Sequence, residues 1–291
     1  MPFLYRDFQT QAEIDAQYNA GQSVPDFPRY GQRNATLSQQ LRQSLPCTLD
    51  VPYGPTLAET LDIFPAAPDG ATSAGAPVFV FIHGGYWRAL SSKDYSLVAT
   101  GLRQRGITTV VVNYALCPQV SIEEIVRQVR AAVAWCLRNI AAHGGDPARM
   151  VVGGHSAGGH LTAMCLQTAW AADYGLPQDP LAGAVLISGL YDLRPLRYSY
   201  LQPMIQLDEG IVQRCSPLFG VRASRTPALV TWGGNESAEF ARQSASWHGA
   251  YTALGSPATL QAVDGAHHFS VLDGFEDPGS PLCDWIARAV G

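Results

Sequence analysis

Two short segments carry residue types that could do covalent chemistry. The first is Gly154-His155-Ser156-Ala157-Gly158. It matches G-x-S-x-G, follows the apolar run RMVVG (149–153) and precedes an Ala- and Leu-rich stretch. A strand turning sharply into a helix forces the serine into a strained position with its hydroxyl raised above the sheet. Only small residues fit around such a turn, and Gly153, Gly154, Ala157, Gly158 and Gly159 are small. A serine at a helix start also aims the next backbone N–H at developing negative charge. Ser156 is therefore the expected nucleophile and Ala157 an expected oxyanion donor. The competing reading is a glycine-rich turn that happens to contain a serine.

The second segment is His83-Gly84-Gly85-Tyr86-Trp87, after the run PVFVFI. Glycines let a backbone approach a substrate closely with its N–H groups turned inward. Gly84 and Gly85 are the expected further donors, as in the HGGG-type loop of lipases and esterases. Alone, His-Gly-Gly is also ordinary strand-ending chemistry. His83 lies at the strand end, where a structural hydrogen bond is expected. Tyr86 and Trp87 could line a pocket for a flat ring, with core packing as the alternative.

A serine nucleophile needs a base and an acid. The order that suits this strand–turn–helix arrangement is Ser, then Asp or Glu, then His. His267 and His268 lie near the C-terminus in VDGAHHFSVLDG. Neighbouring side chains point differently, so one is expected to reach Ser156. His268 is chosen because it precedes Phe269, which can anchor the loop; His267 is second. The acid should follow the run PALVTW, where Glu236 is the first carboxylate and Glu239 the second. Glu236 would hold the imidazole tautomer and stabilise the imidazolium. Asp192, after VLIS, is a fallback acid and is expected to be a turn residue. Tyr18 and Tyr191 are expected to pack rather than face the site. The histidine pair lacks a metal-ligand spacing, so no metal is expected, and the acyl-transfer chemistry requires no cofactor.

These residues must be positioned by regular elements. A short helix is expected at 11–20 and an irregular arm at 21–46, which holds Gly, Pro and Gln. Strands follow at 47–52 and 59–64, then a turn-rich loop at 65–77. The continuous apolar run 77–83 suits a strand buried on both faces. A helix is expected at 91–105 and a strand at 107–114. In 121–141, Ile122, Ile125, Val126, Val129, Val133 and Leu137 recur at helical steps. Strand 149–153, helix 157–172 and strand 183–188 come next. An irregular, cap-like insertion at 190–218 precedes strand 227–232, helix 237–254, strand 258–263 and a closing helix 281–290. Alternating strands and helices give an α/β fold with a mostly parallel sheet, flanked by helices. A single domain over 1–291 is expected, with 1–46 as an N-terminal helix and arm. Ligands bind such sheets at the carboxyl ends of the strands.

Composition bounds the partners. The chain has 291 residues, 47% of them hydrophobic, and a net charge of −5. That is ample for a core and argues against a nucleic-acid partner. No basic start leads into a long apolar stretch, and no window approaches membrane-helix length. A cytoplasmic protein that acts on a small molecule is expected, with a homodimer left open. The six cysteines are scattered, without C-x-x-C, and read as free thiols.

HGGYW at 83–87 resembles the H-G-G-x-W signature of the kynurenine formamidase (arylformamidase) branch of the α/β-hydrolase serine esterases. GHSAGGHL (154–161), GLYDLRPL (189–196), NESAEFARQS (235–244), HHFSVLDGF (267–275) and IDAQYN (14–19) extend the resemblance over nearly the whole chain. It implies the α/β-hydrolase fold, with the family's serine, acid and histidine on Ser156, Glu236 and His268. One departure stands out: the family usually has Asp where this chain has Glu, one methylene longer. The activity implied is hydrolysis of N-formyl-kynurenine, or a similar aryl formamide, to formate and the amine, a step of tryptophan breakdown. Relatives also cleave small aryl esters, so a carboxylesterase is the alternative. A non-catalytic binding protein on the same fold is the remote one.

Overall fold

A computed structural model describes residues 3–66 and 75–291. In chain order the elements are α1 (Gln11–Tyr18), α2 (Ala20–Ser23), α3 (Phe27–Ser44), β1 (Thr48–Pro52), β2 (Thr60–Phe64), β3 (Ala76–Ile82), α4 (Ala99–Gln104), β4 (Thr108–Val112), α5 (Ile122–Asn139), β5 (Gly145–His155), α6 (Ala157–Leu166) and α7 (Trp170–Tyr174). They continue with β6 (Gly183–Ile187), α8 (Gln202–Ile205), α9 (Glu209–Cys215), β7 (Ala228–Gly233), α10 (Ala238–Ala253), β8 (Ala258–Val263) and α11 (Pro281–Val290).

The strands form one eight-stranded sheet in the order β1-β2-β4-β3-β5-β6-β7-β8. β1 and β2 pair antiparallel, as do β2 and β4; every later pairing is parallel. Parallel strands are covered on both faces, which is why β3 and β4 read as unbroken apolar runs. Val78, Val80 and Ile82 face one core with α5 and α6, while Phe79 and Phe81 face a second with α4 and α11. Each fully buried aliphatic side chain there contributes about 1.5–3 kcal/mol. β8 closes the sheet and alternates half-buried with exposed residues, as an edge strand with one wet face does.

Helix limits follow local chemistry. α5 starts where the Ser121 hydroxyl accepts the Glu124 N–H at 3.2 Å, with Glu123 and Glu124 in its positive first turn. α11 starts at Ser280 and Pro281, and buries Cys283, Ile286 and Val290.

Three expectations are corrected. Residues 21–46 are not an irregular arm, because most of the segment is the 18-residue helix α3. Pro28 sits in its first turn, where no N–H is needed. Its apolar marks are few: Leu37 and Leu41 pack on the second core, and Phe27 and Tyr30 stack on Phe269. Polar bonds add to the docking: Ser38 Oγ accepts the Leu97 N–H at 3.2 Å, Arg42 donates to the Lys93 carbonyl and to Ser96, and Arg33 pairs with Glu276 at 2.7 Å. The helix expected at 91–105 is two single turns plus α4, because Ser91 and Asp94 cap each other within three residues. The helix expected at 157–172 stops at Leu166, and α7 follows separately. The insertion 190–218 holds α8, α9 and further single turns. The loop expected at 65–77 falls mainly on 67–74, outside the described residues.

The strand order reverses between β3 and β5, the topological switch where such sheets hold ligands. Ile82 and Gly154 are registered partners across that gap. The loops that follow them, at His83 and at His155, must therefore lie side by side. On the other flank Gly233 of β7 registers with Val263 of β8. The segments carrying Glu236 and His268 are neighbours for the same reason.

Candidate active site

Ser156 links β5 to α6 with φ 58° and ψ −116°, a strained conformation for a residue with a side chain. Two features hold it there. Its N–H donates to the Ile187 carbonyl at 2.8 Å. Gly158 packs so tightly that a Cβ there would collide with the Ile82 carbonyl. Ala157 begins α6, so its N–H has no acceptor within the helix.

Gly84 lies against the serine: a Cβ on it would sit 2.9 Å from the His155 carbonyl and 3.2 Å from Ser156 Cβ. The loop then bends through Gly85 (φ 106°), Tyr86 (φ 50°) and Trp87 (φ 58°). Left-handed backbone costs a non-glycine residue roughly 1–2 kcal/mol, so this turn must be held. The Tyr86 hydroxyl donates to the Tyr18 carbonyl. Trp87 donates its indole N–H to His160 Nδ1 at 3.2 Å, and its carbonyl accepts the Cys117 N–H at 2.8 Å. His83 stacks on Tyr114 with ring centres 4.1 Å apart and bonds its own neighbour's carbonyl, that of Gly84, at 2.7 Å. Its role is structural, as expected, and burial pushes its pKa down to about 4.

His268 and Glu236 meet: Nδ1 lies 2.7 Å from Oε2. A carboxylate accepts, so Nδ1 carries the proton and Nε2 the lone pair in the neutral ring. Both side chains are almost fully buried, 6% and 1% exposed. The other carboxylate oxygen, Oε1, accepts the Gly233 N–H at 2.7 Å and the Ser188 hydroxyl at 2.5 Å. Ser188 ends β6 in a left-handed turn, and no motif marks it in the sequence. His268 packs on Phe240 (4.8 Å between ring centres) and edge-on to Phe269 (5.5 Å). His155, beside the serine, brings its Nε2 to 2.8 Å from the His268 carbonyl, so its ring ties the two loops together. Burial holds that imidazole neutral, with its pKa well below the usual histidine range.

The second choices have other partners. His267 Nδ1 accepts the Phe269 and Ser270 N–H groups, both at 3.2 Å, and caps a turn. Glu239 accepts the Tyr18 hydroxyl at 2.6 Å and pairs with Arg242. Asp192 pairs with Arg194 at 2.7 Å and accepts the Tyr5 hydroxyl. Tyr18 and Tyr191 are fully buried.

Ser156, His268, Gly85 and Tyr86 line one cavity of about 490 Å³. That is the size of a small-molecule site. Its walls also include Arg88, Tyr95 and Tyr200, and Phe27, Pro28, Gly31 and Asn34 from α3. Trp87 is not among the lining residues. It is fully buried with its N–H committed to His160, which corrects its expected contact with substrate. No cluster of three or more His, Cys, Asp or Glu among the described residues could hold a metal ion. The cysteines are free, five of them buried.

Comparison with known proteins fits this geometry. A family model described as alpha/beta hydrolase fold matches residues 79–271. Kynurenine formamidase of Danio rerio is 29% identical over 96% of this chain and 96% of its own length. That of Salmo salar is 31% identical over 84% of this chain and 82% of its own. The crystal structure of a candidate thioesterase from Silicibacter sp. tm1040 superposes with TM-score 0.82 at 29% identity, covering 94% of this chain and 98% of that one.

Proposed function

The chain belongs to the α/β-hydrolase family and to its kynurenine formamidase branch, and from that premise we propose that it hydrolyses N-formyl-kynurenine or a similar aryl formamide. The observation that carries this reading is the 2.7 Å bond between His268 and Glu236, on the wall that also holds Ser156.

In the proposed course, Glu236 keeps the proton on Nδ1 of His268, leaving Nε2 as the base. Nε2 takes the Ser156 proton while Oγ bonds to the formyl carbon. The carbonyl electron pair moves onto oxygen, and the N–H groups of Gly84, Gly85 and Ala157 donate to it. Each such donor stabilises the transition state by about 3 kcal/mol. As the carbonyl re-forms, the C–N bond breaks and His268 gives its proton to the leaving amine. His268 then deprotonates a water that attacks the formyl ester. The tetrahedral adduct collapses, releasing formate and restoring Ser156.

Formate release from N-formyl-kynurenine, absent in Ser156→Ala, is the expected result. Wild-type protein that cleaves aryl esters and leaves N-formyl-kynurenine intact would defeat it. The ester reading draws on the Silicibacter neighbour, a candidate thioesterase, and predicts a preference for short-chain nitrophenyl esters. Failure of a fluorophosphonate to label Ser156 would instead favour a non-catalytic binding role.

No helix among the described residues is long and apolar enough to cross a membrane. A cytoplasmic location, one domain spanning 1–291 and a homodimer belong to the same proposal.

A further inference from the structure

The cavity walls carry two groups of fixed charge, Arg88 and Asp94. They differ in what they already hold. Asp94 Oδ2 accepts the Ser91 N–H at 2.9 Å and the Ser91 hydroxyl at 3.0 Å, as part of a capping box. Arg88 has no carboxylate partner among the described residues. Arg33, Arg105, Arg127, Arg194, Arg214 and Arg242 each have one.

The position of Arg88 is set from both sides. Its N–H and that of Ala89 both donate to the Gly85 carbonyl at 3.1 Å, so it rides on the same held turn as Gly84 and Gly85. Its guanidinium lies 5.9 Å from the centre of the Tyr200 ring. Tyr200 is placed in turn by its N–H on Asp15 of α1, at 2.8 Å, and it meets Tyr86 edge-on with ring centres 6.5 Å apart. The result is a half-buried cation beside the Tyr200 ring, with Tyr86 edge-on to that ring, on the cavity wall that also holds Ser156.

A guanidinium partly withdrawn from water, with the Tyr200 hydroxyl beside it and no carboxylate partner among the described residues, keeps further donors for an anion. Its geometry matches a carboxylate, bound through two parallel hydrogen bonds. We infer that Arg88 is a specificity residue that receives a carboxylate carried by an aromatic substrate, with Tyr86 and Tyr200 against the ring. The inference takes this cavity to be the substrate cavity of the proposed hydrolase. It adds the residue that selects the substrate's carboxylate.

The test compares formanilide with its meta- and para-carboxylate derivatives, and phenyl acetate with the matching carboxyphenyl acetates. Wild type should favour the carboxylates. In Arg88→Gln the ratio of kcat/KM, carboxylate over neutral, should fall about tenfold to a hundredfold, mainly through KM. Arg88→Lys should keep part of the preference. The ratio is internal, so a general loss of activity does not imitate the effect. A ratio unchanged by Arg88→Gln overturns the inference.

A second measurement needs no turnover. Benzoate and benzamide are compared by calorimetry on Ser156→Ala and on Ser156→Ala with Arg88→Gln. Tighter benzoate binding, erased by the arginine change, supports the assignment even if no formamide is cleaved, and the hydrolase reading alone would then fall. Equal binding of the two probes to both proteins overturns the assignment and leaves the hydrolase reading standing.

Discussion

The Tyr86 hydroxyl donates to the backbone carbonyl of Tyr18, which ties the loop after β3 to the end of α1. The neighbouring residue does the same on the other flank. The Gln17 carbonyl accepts the Ser237 hydroxyl at 2.6 Å, and the Tyr18 hydroxyl donates to Glu239. One turn of the N-terminal arm therefore holds both the proposed oxyanion loop and the loop that carries Glu236. The arm is part of the site's frame as well as its cover.

Removing that tie should show in the reaction more than in the fold. Tyr86→Phe keeps the ring but strands a buried carbonyl, which costs about 1–3 kcal/mol. Urea denaturation should detect the loss. Steady-state kinetics should show kcat reduced about tenfold, since the adjacent N–H donors lose alignment. Unchanged kcat with unchanged stability would mean that the loop holds its strained shape without Tyr18.

The length of the acid has its own test. Glu236 spans two duties, with Oε2 on His268 and Oε1 on Gly233 and Ser188. Glu236→Asp is one methylene too short to keep all three partners on this backbone. A drop in kcat of about tenfold to a hundredfold is expected, with the protein still folded by circular dichroism. Glu236→Gln keeps the length and cannot hold the right tautomer, so its loss should be nearer ten-thousandfold. Full activity in Glu236→Asp would count against the bridging role.

Stability should fall as the solution is acidified from neutrality. Burial holds His83 and His160 down to about 4, and His155 also well below its usual value. Between pH 6.5 and about 4 the unfolded chain binds protons at these rings that the native protein does not. The native state therefore loses stability at each of these rings as the pH falls through that window. The losses add over the three rings, so urea midpoints at pH 7, 6 and 5 should fall, and more steeply between 6 and 5 than between 7 and 6. Asp192 and Glu239, buried yet held below their usual range by Arg194 and by Arg242, add their losses only at lower pH. A flat profile from pH 7 to 5 would contradict the neutral assignment.

Trp87 tests the scaffold separately from the pocket. Trp87→Phe leaves His160 Nδ1 without its donor inside the core and removes part of a buried ring. A loss of about 2–4 kcal/mol is expected from thermal or urea unfolding. KM should move little at temperatures where the protein stays folded. A large KM change with intact stability would return the indole to the substrate wall.

How much of this was readable in advance depended on the range of the force at work. The strand–turn–helix around Ser156 is local: RMVVG, then small residues, then Ala and Leu. Each of those choices constrains the backbone within a few residues. The α/β alternation is local too, written as apolar runs and as the spacing from Ile122 to Leu137. α3 is harder to read: Phe27, Tyr30, Leu37 and Leu41 are its few apolar marks, diluted by polar residues and by Pro28 and Gly31, and Ser38, Arg42 and Arg33 dock through hydrogen bonds to segments more than 50 residues away. A periodicity of apolar residues does not record such contacts.

The sequence by itself determined the types of group at Ser156, Glu236 and His268, their order, and the turn that raises the serine. Only the tertiary structure decided that His268 and not His267 meets Glu236, that Ser188 and His155 steady that pair, and that Trp87 turns into the core. It also decided that Arg88 lines the cavity with no carboxylate partner among the described residues. The reason is physical. Chain-local sterics choose a backbone, but a side chain's partner is set by sheet register, which here brings Ile82 beside Gly154 and Gly233 beside Val263.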